Sequence, residues 1–124
     1  MPPLLRITVD EAQIEQVLIN LVQNGADAVG RDGVVKLRAY ADRKRINNHE
    51  KNLVILEVAD NGKGILPEVQ QRLFDPFSTA KEAGTGLGLC IVAGIVQKHG
   101  GVIQYQTQVD HGTTFGILLP ATAE

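Results

Sequence analysis

The chain has 124 residues, enough for one domain with a real core, and its 44% hydrophobic content with few aromatics is that of an ordinary globular protein. That composition excludes a disordered chain and a membrane protein. The net charge of −2 argues against a nucleic-acid surface.

Leu4 to Val9 alternates apolar and polar residues and predicts a strand. Asp10 then offers a helix N-cap, with Gln13 three residues on as the returning partner of a capping box. Ile14, Val17, Leu18, Leu21, Val22, Ala28 and Val29 follow at helical spacing, so residues 11–29 form an amphipathic helix. After a turn at Arg31-Asp32-Gly33, Val34 to Ala41 alternates as a second strand. The charged stretch Asp42 to Lys51 reads as an exposed hairpin loop, and Leu53 to Ala59 as the returning strand. Pro67 suits the first turn of a short helix through Leu73. Residues 75–84 lack periodicity and read as a mobile loop. A second long helix is expected from Gly86 to His99, stopped by Gly100-Gly101 in a left-handed cap. Val102 to Val109 and Thr113 to Leu119 complete the sheet as a hairpin around Asp110-His111-Gly112. The expected fold is an α/β two-layer sandwich of the α+β type, a mixed sheet of about five strands with three helices on one face.

The single cysteine, Cys90, cannot close an internal disulfide and lies in an apolar helical pattern, pointing to a packed thiol in a reducing compartment. No signal peptide is visible, and the apolar run around Leu87 to Val96 is too short to span a bilayer, so a cytoplasmic domain without membrane insertion is expected. Met1-Pro2-Pro3 reads as a linker entering the domain, and the chain as a fragment of a longer protein.

Two glycine clusters carry the chemistry: Asp60-Asn61-Gly62-Lys63-Gly64 after a strand, and Gly84-Thr85-Gly86-Leu87-Gly88 at the opening of a helix. Glycines at alternate positions admit a ligand close to backbone N–H groups, and a helix N-terminus favours anions. A carboxylate beside the first cluster can read a base while the second receives phosphates, a combination that points to a nucleotide. With a net charge of −2, its polyphosphate must be neutralised locally, by a metal or by individual cations. Asn-Gly alone would signal a hairpin turn, but Lys63-Gly64-Ile65-Leu66-Pro67 does not continue as a strand. In the functional reading Asp60 accepts from the exocyclic amine of adenine; guanine presents an acceptor there and is rejected.

Asn20 and Asn24 are four residues apart on the first helix and share a face, with Gln16, Gln23 and Asp27 near the same stripe. The stripe is either a solvated face or a platform of hard amide oxygens for Mg²⁺ and phosphate. Phe74-Asp75-Pro76-Phe77 anchors a loop by two aromatics. That loop carries Thr79 and Lys81, and Lys81 is either a solvated lysine or the cation beside a polyphosphate.

In order and together, these segments resemble the ATP-binding catalytic domain of sensor histidine kinases, whose superfamily includes the gyrase, mismatch-repair and heat-shock chaperone ATPases of the Bergerat fold. Gln16 to Asn24 is similar to the N box, Asp60 to Ile65 to the first glycine box, Phe74 to Phe77 to the F box and Gly84 to Leu89 to the second glycine box. The ending from Gly112 through Thr113 and Phe115 to Pro120 is similar to the family's last strand. The resemblance covers nearly the whole chain and implies one catalytic domain over residues 1–124, with a lid over 66–86 hinged at Gly84, Gly86 and Gly88.

It also implies ATP and Mg²⁺ as cofactors. Asn24, with Asn20 nearby, would hold the cation; Asp60, supported by the Thr113 hydroxyl, would select adenine while Gly62 and Gly64 let the backbone pass the base. Ile65, Thr79, Lys81, Thr85, Leu87 and Leu89 would complete the nucleotide site, with Lys81 at the γ-phosphate. Asp27 stands where many relatives carry a phosphate-binding lysine, which leaves neutralisation to Mg²⁺ and Lys81. Gly25 replaces the usual alanine at a cost to the helix of up to about 1 kcal/mol. Asn20 stands where the hydrolysing relatives have a glutamate base. Attack by water needs a proton acceptor, whereas neutral imidazole is already a nucleophile, so the site suits transfer to histidine.

The acceptor histidine is not in this chain. His49 lies in a polar stretch beyond the N box, His99 in the last turn of its helix suits the dipole, and His111 is a turn residue. The expected partners are the dimerisation and phosphoacceptor domain of a parent protein and a response regulator downstream. A module that senses nucleotide without transfer, and a gyrase-like ATPase, are the alternatives.

Overall fold

The computed structural model describes residues 5–46, 48–75 and 88–123. Strand β1 (Leu5–Arg6) leads to helix α1 (Glu11–Val29), then to a long hairpin of β2 (Val35–Ile46) and β3 (His49–Asp60). A short helix α2 (Pro67–Gln70) precedes α3 (Gly88–Lys98), and β4 (Val102–Gln108), β5 (Gly112–Pro120) and β6 (Thr122–Ala123) follow. The main sheet has the order β2-β3-β5-β4 with every neighbouring pair antiparallel, and β1 pairs with β6 in a separate two-stranded sheet.

The α/β sandwich stands, but among the described residues the main sheet is four-stranded and antiparallel instead of mixed and about five-stranded. The alternation over residues 4–9 misled the strand count. Ile7 and Val9 turn inward to pack on the core without joining a ladder, so their period of two reports anchoring instead of pairing. In the polar stretch 42–51, residues 42–46 and 49–51 are ladder, not loop. Arg43 to Ile46 pair with Asn52 to His49, Arg43 meets Glu50 at 3.5 Å, and Asn48 takes a left-handed φ of 67° beside the reversal. Exposed throughout its described tip, this ribbon carries polar side chains like those of a loop.

Helix α1 begins where the cap was expected: Oδ1 of Asp10 accepts from Gln13 N at 3.1 Å. Helix α3 ends in a Schellman turn, with Gly100 at φ 71° and Gly101 N–H donating to Val96 O at 3.0 Å. The short helix stops at Gln70 and continues as turns to Phe74 instead of running to Leu73. Of the segment expected as a loop over 75–84, only Asp75 is among the described residues, as is only Gly88 of the second glycine cluster.

The helices cover one face of the sheet. Val17 and Leu21 of α1, Leu73, Leu89, Val92, Ile95 and Val96 of α3, and Val58, Phe115, Ile117 and Leu119 of the sheet form one buried cluster. Phe74 anchors beside it, its ring 6.1 Å from that of Tyr105 in an edge-on contact. On the opposite face, Leu53, Ile55 and Leu118 form a smaller buried cluster with Tyr40 packed on it, and a cleft of about 170 Å³ lies there over Gly116.

Candidate functional site

Asp60 closes β3 and is flanked in register by Val35 on one side and Thr113 on the other. Thr113 is 5% exposed, the one buried polar side chain among the described residues, and shares the helix-facing side of the sheet with Asp60. Helix α1 passes directly over this corner: a methyl group on Gly25 would lie 3.5 Å from Asp60 Cβ and 3.1 Å from a Val35 methyl. The glycine at 25 thus brings the helix close to the rim where the carboxylate stands, and Asn24 precedes it. The first glycine cluster and the amide stripe are therefore neighbours in space.

The segment after Asp60 is fastened on three sides. Asp60 Oδ1 accepts from Gly62 N at 2.9 Å, and Asn61 exchanges bonds with Val34 through its backbone N–H and its Oδ1, at 3.3 and 2.8 Å. Lys63 N donates to Ala28 O of α1 at 3.3 Å, and Asp110 N donates to Lys63 O at 2.9 Å. Gly62 and Gly64 are required by these contacts. A side chain at Gly62 would strike the Ala28 backbone, and one at Gly64, which has φ 75°, would strike the Gln108 carbonyl. The expectation assigned both glycines to clearance for a base; their close approaches in the fold are to the protein's own backbone.

Thr107 is the residue that sequence reasoning missed. Its Oγ1 accepts from Ile65 N at 2.9 Å, lies 2.8 Å from Thr113 Oγ1 and 3.3 Å from Gly112 O. It joins the glycine segment to β5 just beneath Asp60, and the Thr113 hydroxyl is paired with it. No motif marks Thr107; only its register opposite Thr113 could have pointed to it.

On α1, Gln16 Nε2 donates to Asn20 Oδ1 at 2.8 Å, and Asn20 Nδ2 donates to Gly88 O at 3.3 Å. Gly88, the first described residue of the second glycine cluster, is thereby tied to the amide stripe. Asn24 lies one turn further on and is half-buried, while exposed Asp27 accepts from Gln23 Nε2 at 3.1 Å. Ile65 packs partly against the core and Leu89 lies within it, so Leu89 offers a ligand its backbone only. Thr79, Lys81, Gly84, Thr85, Gly86, Leu87 and Phe77 lie outside the described residues.

His49 and His99 stand apart from this corner, whereas His111 lies at its edge, between Asp110 and Gly112. His49 begins β3 on the exposed ribbon and His111 sits in the turn before β5. His99 does not serve the helix dipole as a cation. Its Nε2 accepts from Asp10 N at 3.0 Å while Nδ1 faces Ile95 O at 2.8 Å, an arrangement that assigns a neutral ring protonated at Nδ1.

Among the described residues no three His, Cys, Asp or Glu side chains converge to cage a metal. Asn24, one turn from the amide that Asn20 shares with Gln16 and Gly88, carries a hard oxygen donor of the kind that suits a cation bound by few side chains and completed by water and ligand phosphates.

A family profile described as histidine kinase-, DNA gyrase B- and HSP90-like ATPase matches residues 9–123. The sensor kinase CckA of Brucella abortus is 40% identical over 127 residues, covering 95% of this chain but only 13% of that protein. Among solved structures, the catalytic domain of the histidine kinase ThkA is 36% identical with a TM-score of 0.75, covering 92% of this chain and 70% of that one. Full-length ShkA in complex with AMPPNP is 30% identical with a TM-score of 0.77, covering 99% of this chain and 24% of that one.

Proposed function

Since the chain belongs to the family of histidine kinase-, DNA gyrase B- and HSP90-like ATPases, we propose that it binds ATP with Mg²⁺ and passes the γ-phosphoryl group to a histidine on a separate domain. That domain would be the dimerisation and phosphoacceptor domain of a longer cytoplasmic or membrane-anchored sensor kinase, with a response regulator downstream. In this reading residues 1–124 are its catalytic domain and residues 66–86 the lid. No helix among the described residues is long and apolar enough to cross a membrane.

The observation that carries the proposal is the single corner shared by Asp60, Thr113, Asn24 and the start of α3. Asp60 stands at the rim to accept from the adenine amine, and Ile65, partly buried beside it, offers an apolar wall. Asn24, one turn beyond Asn20, would hold Mg²⁺, which would offset the charge on the transferring phosphoryl group. Lys81 and Thr79 would meet the γ-phosphate from the lid, and the backbone of Gly84 to Leu89 the remaining phosphates. Asn20 carries an amide, which takes no proton; a neutral imidazole needs none taken to attack phosphorus. The role of the protein is then orientation and charge, not base catalysis.

Asp60→Asn tests the base contact. Asparagine can still accept from Gly62 N–H, so the turn is kept, but it turns an NH₂ group towards the adenine amine. ATP affinity by calorimetry should fall about tenfold or more; unchanged affinity would remove Asp60 from the site. Mixing the chain with the parent's phosphoacceptor domain and labelled ATP tests transfer, and tight ATP binding without label on histidine would instead identify a sensing module.

A further inference from the structure

Gln16 has no place in the nucleotide site as described, yet it makes the first contact of a chain of amides that ends on the phosphate side. Its Nε2 donates to Asn20 Oδ1 at 2.8 Å, and Asn20 Nδ2 donates to the backbone carbonyl of Gly88 at 3.3 Å. An amide pair four residues apart on a helix is ordinarily a surface contact of small worth. This one continues across to another helix, between residues 68 positions apart, through a part-buried bond. The direction of the Asn20 amide follows: a carbonyl can only accept, so the nitrogen must face Gly88 and the oxygen must face Gln16.

Among the described residues, side-chain packing holds α3 from Leu89 onward but not at Gly88, whose carbonyl receives the Asn20 amide. A methyl group on Gly88 would meet nothing within 4 Å among the described residues. The contacts that fix α3 to the core begin at Leu89 and run through Val92, Ile95 and Val96. The first turn of a helix is where N–H groups receive anions, and its position sets where phosphates sit.

We propose that Gln16 is a positioning residue: it orients the Asn20 amide as a clasp on the first turn of α3 and so fixes the phosphate-receiving end of that helix. The proposal rests on the nucleotide reading of this corner. In it Asn20 works through its nitrogen, and the cation is left to Asn24.

The test compares the chain with its Gln16→Leu, Asn20→Asp and Asn20→Ala variants. AMPPNP affinity is measured by calorimetry in magnesium and in EDTA, and amide hydrogen exchange over Leu89 to Val92 without nucleotide. Gln16 is exposed, so Gln16→Leu should fold, which a thermal midpoint within a few degrees would verify. It should weaken AMPPNP about three- to tenfold in both media and speed exchange in the first turn of α3 while the middle of α1 is unchanged. Asn20→Asp should behave as Asn20→Ala, because a carboxylate has no hydrogen to give Gly88. The proposal is overturned if Asn20→Asp keeps full affinity, if losses appear in magnesium only, or if exchange at α3 is unaltered. A chain that binds no AMPPNP at all would defeat the nucleotide reading, while the exchange rates would still decide the clasp.

Discussion

Asp60 is placed so that one carboxylate oxygen shapes its own loop, by accepting from Gly62 N–H. A residue with two acceptor atoms and no donor is what such a position needs if it is also to receive an amine. On the far side of the sheet, Tyr40 donates to Glu57 at 3.1 Å, Glu57 meets Arg38 at 3.3 Å, and the Arg38 guanidinium lies 5.0 Å over the Tyr40 ring. Partial desolvation, together with the bond to Glu57 and its charge, raises the Tyr40 phenol above its ordinary value. An acid with a raised folded-state value contributes stability that is present below its unfolded value and is lost as pH climbs through the folded one. The chain has two tyrosines. In an alkaline absorbance titration Tyr40 should ionise above the ordinary tyrosine range, and Glu57→Gln should bring it down. A Glu57→Gln titration that overlays the parent would show that the bond does not govern the phenol.

At the scale of elements, the corner is made by connections instead of by any one helix or strand. The Asn61–Gly64 segment is held by Val34, Ala28 and Asp110, and Thr107 locks Ile65 against β5. Thr107→Val preserves shape but leaves Ile65 N–H and the Thr113 hydroxyl without this partner. Unfolding by urea should show a loss of about 1–3 kcal/mol; a loss below that range would mean that water or another group replaces the hydroxyl. Boundaries of elements were legible where a local signal marks them. The Asp10 cap and the Gly100-Gly101 stop are such signals, because a cap bonds only to its own turn. The hairpin tip was not legible, because exposed ladder and loop share a polar composition. Thr107 was not legible either, since its partners lie 42 and 6 residues away and no local pattern records them.

Among the described residues the helices lie on one side of the main sheet, and the larger of the two buried clusters is the one that both α1 and α3 enter. Leu21, 1% exposed within that cluster, faces the sheet from α1. Leu21→Ala should cost about 2–5 kcal/mol in chemical denaturation, and a much smaller loss would place the principal core elsewhere. The period of apolar residues, the two helices and the glycine clusters were determined by the sequence alone, because periodicity and glycine chemistry act over a few residues. That four short segments belong to one nucleotide site was legible as a resemblance to a family. Only the tertiary structure decided that the sheet is wholly antiparallel, that β1 stands outside it, and that Gly62 and Gly64 are packed against the protein's own backbone. It also decided that Gln16 reaches α3 through Asn20. These are relations between residues far apart in the chain, set by which surfaces meet when the core closes, and no local pattern encodes them.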